Sequence, residues 1–287
     1  MLRIERIEKS FRKRKVLSNI TLNIEGVYAL IGSNGAGKST LMKILAGLIK
    51  LEHGTVSLDG KELVKGRYVK HDNKIGFLPQ EFNIYPNVSI EDSLEHLAIL
   101  KGHHNKTERQ HLIASILKEV NLANVSNVKM GHLSGGMKRR VGIAQLMLGN
   151  PKVLILDEPT AGLDIEERLR FQHLIRKISK NYIIMISSHN VDDIELLCTK
   201  IGMLKNGRVV FEGSPEELKQ RASGKIREEI VTEQNLDHYF NHFDVITVTE
   251  NQGRFLVRIY DPLNSQKMPA APRMVDGYVA VMRECGV

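Results

Sequence analysis

Apolar and polar residues alternate over the first 24 positions of the chain, with apolar residues at positions 2, 4 and 7 and again at 20, 22 and 24. Alternation with a period of two predicts antiparallel strands. The apolar run Val27–Ile31 predicts a buried strand, and residues 38–48, beyond a glycine-rich turn, have helical spacing. The chain is therefore expected to open with antiparallel strands, followed by a strand, a loop and a helix.

The middle of the chain changes period several times. Short strands are predicted at residues 55–58 and 75–78, and helical spacing continues from 89 to about 150. Apolar strands return at 153–156 and 182–186 with a helical pattern, 165–178, between them, which predicts βαβ units and a parallel sheet. Asn206-Gly207, between two further strand patterns, predicts a hairpin turn.

The last part of the chain has a pattern of its own. Ser214-Pro215-Glu216-Glu217 is typical of a helix start. Beyond Gly224, alternation at 243–249 and 254–260 predicts a hairpin, and the spacing after residue 274 predicts a short helix. We therefore expect a main domain at 1–213, a connecting helix or linker at 214–224 and a small accessory domain at 225–287.

Composition narrows the class of protein. The 287 residues include 41 Lys and Arg against 33 Asp and Glu, so the formal charge is +8. No apolar stretch approaches the roughly 20 residues of a membrane helix, residues 1–10 lack a signal-peptide core, and two distant cysteines are typical of a reducing compartment. These features predict a cytoplasmic protein. Its net positive charge allows nucleic acid, anionic lipid or a phosphate-rich ligand as a partner and by itself does not choose among them.

The glycine-rich turn carries the first candidate chemistry. It matches GxxxxGK[ST] between a strand and a helix, the setting that this motif requires. Such glycines let backbone N–H groups surround a phosphate chain, while the lysine reaches the β- and γ-phosphates and the hydroxyl ligates Mg²⁺. An ordinary glycine-rich turn is the alternative. The predicted phosphate-binding residues are Gly32, Ser33, Asn34, Gly35, Ala36, Gly37, Lys38, Ser39 and Thr40.

Two carboxylates follow the predicted strand at 153–156. Ligands of open α/β sheets bind beyond the carboxyl ends of the strands, so Asp157 and Glu158 are expected beside the phosphates. Asp157 then supports Mg²⁺, together with Ser39, and Glu158 acts as general base on the attacking water. A solvated strand end is the alternative.

A second glycine-rich helix start, at Ser134, Gly135 and Gly136, precedes the helical run 138–148. A serine cap followed by two glycines is again typical of anion binding. One nucleotide site does not explain why one chain carries two such elements.

Together these motifs resemble those of the ATP-binding subunit of ABC (ATP-binding cassette) transporters, over about residues 2–213. The residues concerned stand in the family's order and spacing: GSNGAGKST from Gly32, FLPQ ending at Gln80, LSGGM from Leu133, VLILDEPTAGLD from Val153 and ISSH ending at His189. The resemblance implies an α/β fold of the P-loop NTPase type. It comprises a mixed sheet around a central helix, an antiparallel β subdomain and a helical subdomain at about 88–150, here with a small α+β C-terminal domain.

The resemblance also implies how the second helix start is used. Two cassettes pack head to tail around two ATP molecules, and each ATP lies between the 32–40 loop of one subunit and residues 134–136 of the other. In the family pattern Asp164 crosses this dimer interface. The partner is a second copy of the chain or another cassette.

Four further residues acquire roles from the family pattern. Phe11 would stack on adenine with Val16 beside it, Gln80 would touch Mg²⁺ and sense the membrane partner, and His189 would hold the γ-phosphate. Each has a plainer alternative: Phe11 as a core residue, Gln80 as a loop cap and His189 as a histidine at a strand end.

Two departures from the commonest family pattern point to a subgroup. Met137 stands where glutamine is usual, and Ile165 where proline is common. With the small C-terminal domain, these variants resemble single-cassette ATPases that serve bacterial exporters of drugs, antibiotics or peptides. The resulting hypothesis is an ATPase on the inner face of the cell membrane, with Glu158, His189, Gln80 and Lys38 in catalysis, that drives a separate membrane permease.

A soluble ABC-type ATPase acting on ribosomes or DNA is the rival hypothesis. The type that acts in translation has two cassettes per chain, whereas this chain has one. The type that acts on chromosomes has a long coiled-coil insertion between the positions of Gln80 and Ser134, whereas here these two residues are only 54 positions apart. A kinase or GTPase would not explain LSGGM. The cations near Phe11 are expected to attract ATP or to be solvated, so no nucleic-acid partner is expected. They are Lys9, Arg12, Lys13, Arg14 and Lys15.

Overall fold

The computed structural model describes residues 1–12, 14–65, 67–70, 73–82, 85–263 and 270–285, so Lys13 of the basic cluster lies outside the described residues. The chain forms two compact units, Met1–Val209 and Val210–Val287. The domain division expected at residue 213, and the linker expected after it, stay predictions.

The first unit combines strands and helices, and its last strand, Arg208–Gly213, continues past Val209 into the second unit. Its elements are β1 (Leu2–Phe11), β2 (Arg14–Ile24), β3 (Val27–Ile31), α1 (Lys38–Leu45), β4 (His53–Leu58), β5 (Lys61–Glu62), β6 (Val64–Lys65), β7 (Tyr68–Val69), β8 (Ile75–Leu78), α2 (Ile90–Leu100), α3 (Lys106–Glu119), two short 3₁₀ turns (Ala123–Val125 and Met130–His132), α4 (Gly135–Met147), β9 (Val153–Leu156), α5 (Ile165–Ile178), β10 (Ile183–Ser188), α6 (Asp192–Glu195), β11 (Lys200–Lys205) and β12 (Arg208–Gly213).

A six-stranded sheet forms the centre of this unit, with strand order β12-β11-β3-β10-β9-β8. The neighbouring pairs from β11 to β8 are parallel. All residues of β3 and β9 are buried, as expected for continuous apolar runs covered on both faces. The parallel sheet and the βαβ unit around α5 are therefore confirmed, and the carboxyl ends of the parallel strands share one edge.

A second sheet, in the order β2-β1-β4-β5, is antiparallel. Leu2 pairs with Ile24 and Ile4 with Leu22, and these side chains are fully buried. They share one apolar core with α1 and with residues of the parallel sheet. The alternation read from the sequence is thus the inward face of β1 and β2.

The first predicted helix ends earlier than its apolar spacing indicated. Leu41, Ile44 and Leu45 are buried, whereas Leu48 is 63% exposed. α1 ends at Leu45, and Gly47 adopts a positive φ of +73°. A left-handed residue cannot continue a right-handed helix, so the prediction that Leu48 belongs to the buried helix face is wrong.

The second unit is built from α7 (Pro215–Gln220), β13 (Ile226–Val231), α8 (Glu233–His242), β14 (Asp244–Asn251), β15 (Arg254–Tyr260) and α9 (Met274–Glu284). Its strands form one antiparallel sheet in the order β13-β15-β14. The predicted hairpin and final helix are confirmed. β13 and α8 had no sequence prediction, because β13 has charged residues at its centre and α8 buries none of its residues fully.

A buried ion pair joins the sheet of this unit to α9. Arg258 Nε and Nη2 donate to the two carboxylate oxygens of Asp276 at 2.9 and 2.6 Å, and the two residues are 3% and 0% exposed. Arg258 also donates to Glu228 and to Ala271 O. The hydrogen bonds with Asp276 raise the pKa of Arg258.

No helix in the described part of the chain has the length and apolar character needed to cross a bilayer.

Replacing Asp276 by alanine should destabilise the protein, because it leaves the buried Arg258 guanidinium without its bidentate partner. Loss of one member of a buried pair costs about 3–5 kcal/mol of the free energy of unfolding. Urea unfolding of the full chain followed by far-UV circular dichroism measures it. The control is Glu216→Ala, whose partner Lys219 lies on the same helix and whose side chain is 76% exposed. Equal effects of the two substitutions would contradict the prediction.

Candidate functional site

A cavity of about 750 Å³ lies beside the loop between β3 and α1. It collects residues from both sheets and from loops that are distant in sequence. The lining residues are Phe11, Arg14, Lys15, Val16, Asn34, Gly35, Gly37, Lys38, Ser39, Thr40, Gln80, Glu158, Asn206 and Gly207. The structure therefore brings together most residues predicted to contact nucleotide in a single chain.

The glycine-rich loop is held closely against β2. Gly37, the N-terminal cap of α1, has φ +109°, and a Cβ at this position would lie 2.7 Å from a side-chain carbon of Leu17 and 3.1 Å from Val16 O. Only glycine combines this backbone conformation with so close an approach. The loop conformation is thus determined jointly by its own glycine and by the neighbouring strand.

Lys38 is 5% exposed, and its ammonium group folds back over the loop. Nζ donates to Gly32 O at 2.8 Å and to Ser33 O at 3.3 Å, and it lies 4.0 Å from a carboxylate oxygen of Glu158. The pKa of Lys38 is lowered because burial disfavours its charged form, and the nearby carboxylates of Glu158 and Asp157 offset only part of this effect. A polyphosphate at the loop would offer this cation stronger anionic partners than the carbonyls it now contacts.

Asp157 is 4% exposed and links three elements at the edge of the sheet. One of its carboxylate oxygens accepts a hydrogen bond from Ser187 Oγ at 2.6 Å and another from Ser39 Oγ at 3.2 Å. Ser187 Oγ in turn accepts from the backbone N–H of Glu158 at 2.8 Å. The hydroxyl and the carboxylate predicted to hold Mg²⁺ are therefore adjacent.

Glu158 adopts the left-handed conformation, with φ +45°. Its carboxylate lies between Lys38 and His189, whose Nδ1 is 3.1 Å from Glu158 Oε2. Glu158 and His189 also line a smaller cavity of about 140 Å³. A left-handed non-glycine residue costs free energy, so the surrounding contacts must hold this carboxylate in place.

Phe11 is 46% exposed and lines the cavity, so the alternative of a plain core residue is wrong. Lys9 Nζ lies 5.0 Å from the centre of its ring, in cation–π geometry. Val16 lies in the same lining, and so do Arg14 and Lys15 of the basic cluster. The basic cluster therefore contributes part of its positive charge to the cavity.

The second glycine-rich helix start does not line this cavity. Ser134 caps α4 by accepting a hydrogen bond from Met137 N at 3.2 Å, and Asp164 caps α5 by accepting from Glu167 N at 2.8 Å. Ser134, Gly135 and Asp164 are exposed, whereas Gly136 is buried. These four residues stand apart from the nucleotide-binding loop of their own chain.

Asn206 and Gly207 are cavity residues that sequence reasoning assigned only to a hairpin turn. Gly207 N donates to Ala36 O at 3.1 Å, and Ser18 N donates to Gly207 O at 2.8 Å. The turn is thus tied both to the glycine-rich loop and to β2. Asn-Gly signals a turn, but nothing in its local pattern indicates which loop it contacts.

The donor set fits a magnesium ion. No cluster of three or more His, Cys, Asp and Glu side chains able to hold a metal occurs in the described parts of the chain. Mg²⁺, however, needs only one or two protein oxygen ligands when phosphates and waters complete its octahedron. Ser39 and Asp157 provide such hard oxygens, and Gln80 reaches the same cavity.

A glycine-rich loop between a strand and a helix, a buried lysine and a strand-end carboxylate pair beside a histidine are the features of a P-loop nucleotide-hydrolysing protein. The model of the ABC transporter family matches residues 17–161. The lantibiotic transport ATP-binding protein SrtF of Streptococcus pyogenes is 38% identical over 216 residues, 74% of this chain and 90% of SrtF. The linearmycin resistance ATP-binding protein LnrL of Bacillus subtilis is 30% identical over 78% of this chain and 72% of LnrL.

A solved dimer of an ATP-binding cassette in a post-hydrolysis state, bound to ADP and Pi, matches with a TM-score of 0.64 at 27% identity, over 75% of this chain and 98% of that one. The chain belongs to the ABC transporter family. It is an ATP-binding subunit of that family and an ATPase, and such cassettes form dimers and work with transmembrane permeases. The fold class expected from the sequence is confirmed, and the ribosome or DNA hypothesis is not favoured.

Replacing Gly207 by alanine should weaken ATP binding as well as stability. A new Cβ would lie 2.1 Å from Val16 O at a position with φ +73°, so the turn must move away from the cavity wall. We expect strain to lower the free energy of unfolding by about 1–3 kcal/mol, measured by thermal unfolding. We also expect a clear rise in the Kd for ATP, measured by isothermal titration.

Gly60→Ala is the matched control for this substitution. Gly60 has a similar φ of +78°, but nothing lies within 4 Å of its would-be Cβ. It should lose stability through strain alone and keep its affinity for ATP. Unchanged ATP affinity in Gly207→Ala would show that the turn does not shape the site.

Proposed function

We propose that this chain hydrolyses ATP in a head-to-tail cassette dimer and thereby drives a separate membrane permease for export of an antibiotic, drug or peptide. The observation that carries the proposal is the separation of two phosphate-binding elements. The loop at 32–40 lines the cavity of this chain, while the exposed Ser134-Gly135 start of α4 does not. In the dimer, a second cassette places its Ser134–Gly136 segment over the cavity and its Asp164 at the interface. The loop of one chain and the Ser134–Gly136 segment of the other then bind the same ATP.

The residues at the cavity divide the work of hydrolysis. Glu158 accepts a proton from the attacking water, whose oxygen forms the new bond to the γ-phosphorus as the bond to the leaving ADP oxygen breaks. His189, beside the Glu158 carboxylate, orients that base and contacts the γ-phosphate. Lys38 and the loop N–H groups neutralise the charge that grows on the departing oxygens.

The remaining residues bind and orient the nucleotide. Phe11 offers its exposed ring to the adenine, with Val16 beside it. Ser39, Asp157 and Gln80 hold Mg²⁺, which supplies Lewis-acid neutralisation of the phosphate oxygens when bound. The hydrogen-bonded position of Ser39 next to Asp157 supports this assignment.

The wider organisation follows the same proposal. Residues 1–213 form the cassette, 214–224 connect it, and 225–287 form an accessory domain that adds stability. The capping box of Ser214 and Glu217 marks the start of α7, a few residues after the division between the two compact units at Val209 and Val210. The chain acts at the inner face of the cell membrane, and relatives named for lantibiotic transport and linearmycin resistance support an exported antibiotic or peptide as cargo.

Replacing Glu158 by glutamine should lower ATP turnover by about 10²–10⁴, the usual contribution of a general base, and leave ATP binding intact. The expected product is an ATP-dependent dimer stalled before hydrolysis, measured by light scattering after size exclusion. Lys38→Ala is the contrast, since it should lose ATP binding in isothermal titration. A Glu158→Gln protein with native turnover would remove Glu158 from its assigned role.

Affinity purification from native cells tests the partner. A tagged chain extracted in mild detergent should bring down a membrane-spanning subunit, identified by mass spectrometry, whereas an untagged strain should not. Recovery with ribosomes or DNA, lost as the salt concentration rises, would contradict the transport function and support the rival hypothesis.

A further inference from the structure

The first turns of α4 carry three successive cations, Lys138, Arg139 and Arg140, which Met137 separates from the Ser134–Gly136 segment. Two of them make contacts that tie this helix to other parts of the site. Arg139 reaches the loop after β8, and Arg140 reaches the start of α5. The run is therefore more than a solvated helix face.

Arg139 binds the backbone of the loop that carries Gln80. Its Nη1 donates to Gln80 O and lies 3.4 Å from Pro79 O. Burial lowers the pKa of Arg139, and the opposing effect of the nearby Glu81 is smaller. Carbonyl oxygens bound by a guanidinium are held in a defined geometry, because its donors form a planar, rigid fork.

Arg140 anchors the same helix on its other side. Nη1 donates to Asn121 O at 3.1 Å, and Nη2 lies 3.3 Å from Glu167 Oε2. The Glu167 carboxylate occupies the space beside Gly136, where a Cβ would lie 1.8 Å from its Oε2. Helix α4 is thereby held against the first turn of α5, which Asp164 caps.

We infer that Arg139 is a positioning residue for Gln80: it couples the Gln80 loop to helix α4. This rests on the proposed function in one respect, namely that Gln80 acts on the nucleotide in the cavity it lines. Since Ser134 caps α4 and Gly135 begins it, any displacement of the Ser134–Gly136 segment moves Arg139 and, through its carbonyl contacts, the Gln80 loop. Engagement of one segment by the partner's nucleotide is thus transmitted to the chain's own nucleotide.

Hydrogen exchange of the full-length protein tests the hold on the loop without requiring activity. Arg139→Ala should speed exchange of the amides of Gln80, Glu81 and Phe82 by at least about tenfold. Arg176→Ala is the matched control, because Arg176 also donates to a backbone carbonyl, Leu196 O at 2.8 Å, and does not line the cavity. Equal exchange of this loop in the two variants would overturn the inference.

Kinetics test whether the hold matters for turnover. Arg139→Ala should lower kcat about tenfold, less than the roughly 10²-fold that a 1 Å misplacement can cost, with unchanged ATP affinity and Tm. Arg139→Lys should recover part of the loss. In a Gln80→Ala background, Arg139→Ala should have no further effect, because Arg139 acts through Gln80.

The inference would be overturned if the two substitutions lowered kcat by independent factors that multiply in the double variant. It would also be overturned if either Arg139→Ala or Gln80→Ala kept the native kcat. Both outcomes would leave the ATPase function in place. Absence of ATP hydrolysis by the native chain would instead count against the proposed function, and the exchange measurement would still decide whether Arg139 holds the loop.

Discussion

The parallel register of three strands is the constraint on which this site depends. Ser188 of β10 pairs with Ile31 of β3, and Ile186 pairs with Leu156 of β9. The segments that follow these strands therefore emerge at one edge of the sheet. The hydrogen bond from Ser187 Oγ joins the end of β10 to Asp157, which follows β9, and the hydrogen bond from Ser39 Oγ joins α1, which follows β3, to the same carboxylate. A slip of one residue in either pairing would separate the hydroxyls from the carboxylate.

The same edge concentrates charge that is costly to bury. Lys38 and Asp157 are almost fully inaccessible, and each is compensated by hydrogen bonds rather than by a close ion pair with the other. Asp157 is thus held in place before a phosphate chain arrives, which favours electrostatic stabilisation of a transition state, whereas Lys38 Nζ has to exchange the carbonyl oxygens of Gly32 and Ser33 for phosphate oxygens. The left-handed Glu158 belongs to the same arrangement, because the Ser187 contact to its N–H stabilises the strained turn.

Sequence reasoning succeeded where the signal was local. The glycine-rich loop, the carboxylates after β9 and the cap Ser134 depend on residues within a few positions of one another. It failed at the end of α1, where Gly47 stopped a helix whose apolar spacing continued to Leu48. β13 and α8 were missed because charged and half-buried residues leave little periodicity to detect.

The sequence by itself determined the class of fold and located the glycine-rich loop and the two acids after β9, because backbone conformation and motif spacing are properties of adjacent residues. Only the tertiary structure decided that Asn206-Gly207 closes the cavity wall, that Phe11 is exposed to the cavity, and that Arg139 and Arg140 tie α4 to two other loops. These contacts join residues far apart in the chain. Their partners are chiefly backbone carbonyl oxygens, reached by an arginine or approached closely by a glycine. Such partners carry no residue-type signal, so only the folded arrangement of the strands and helices defines them.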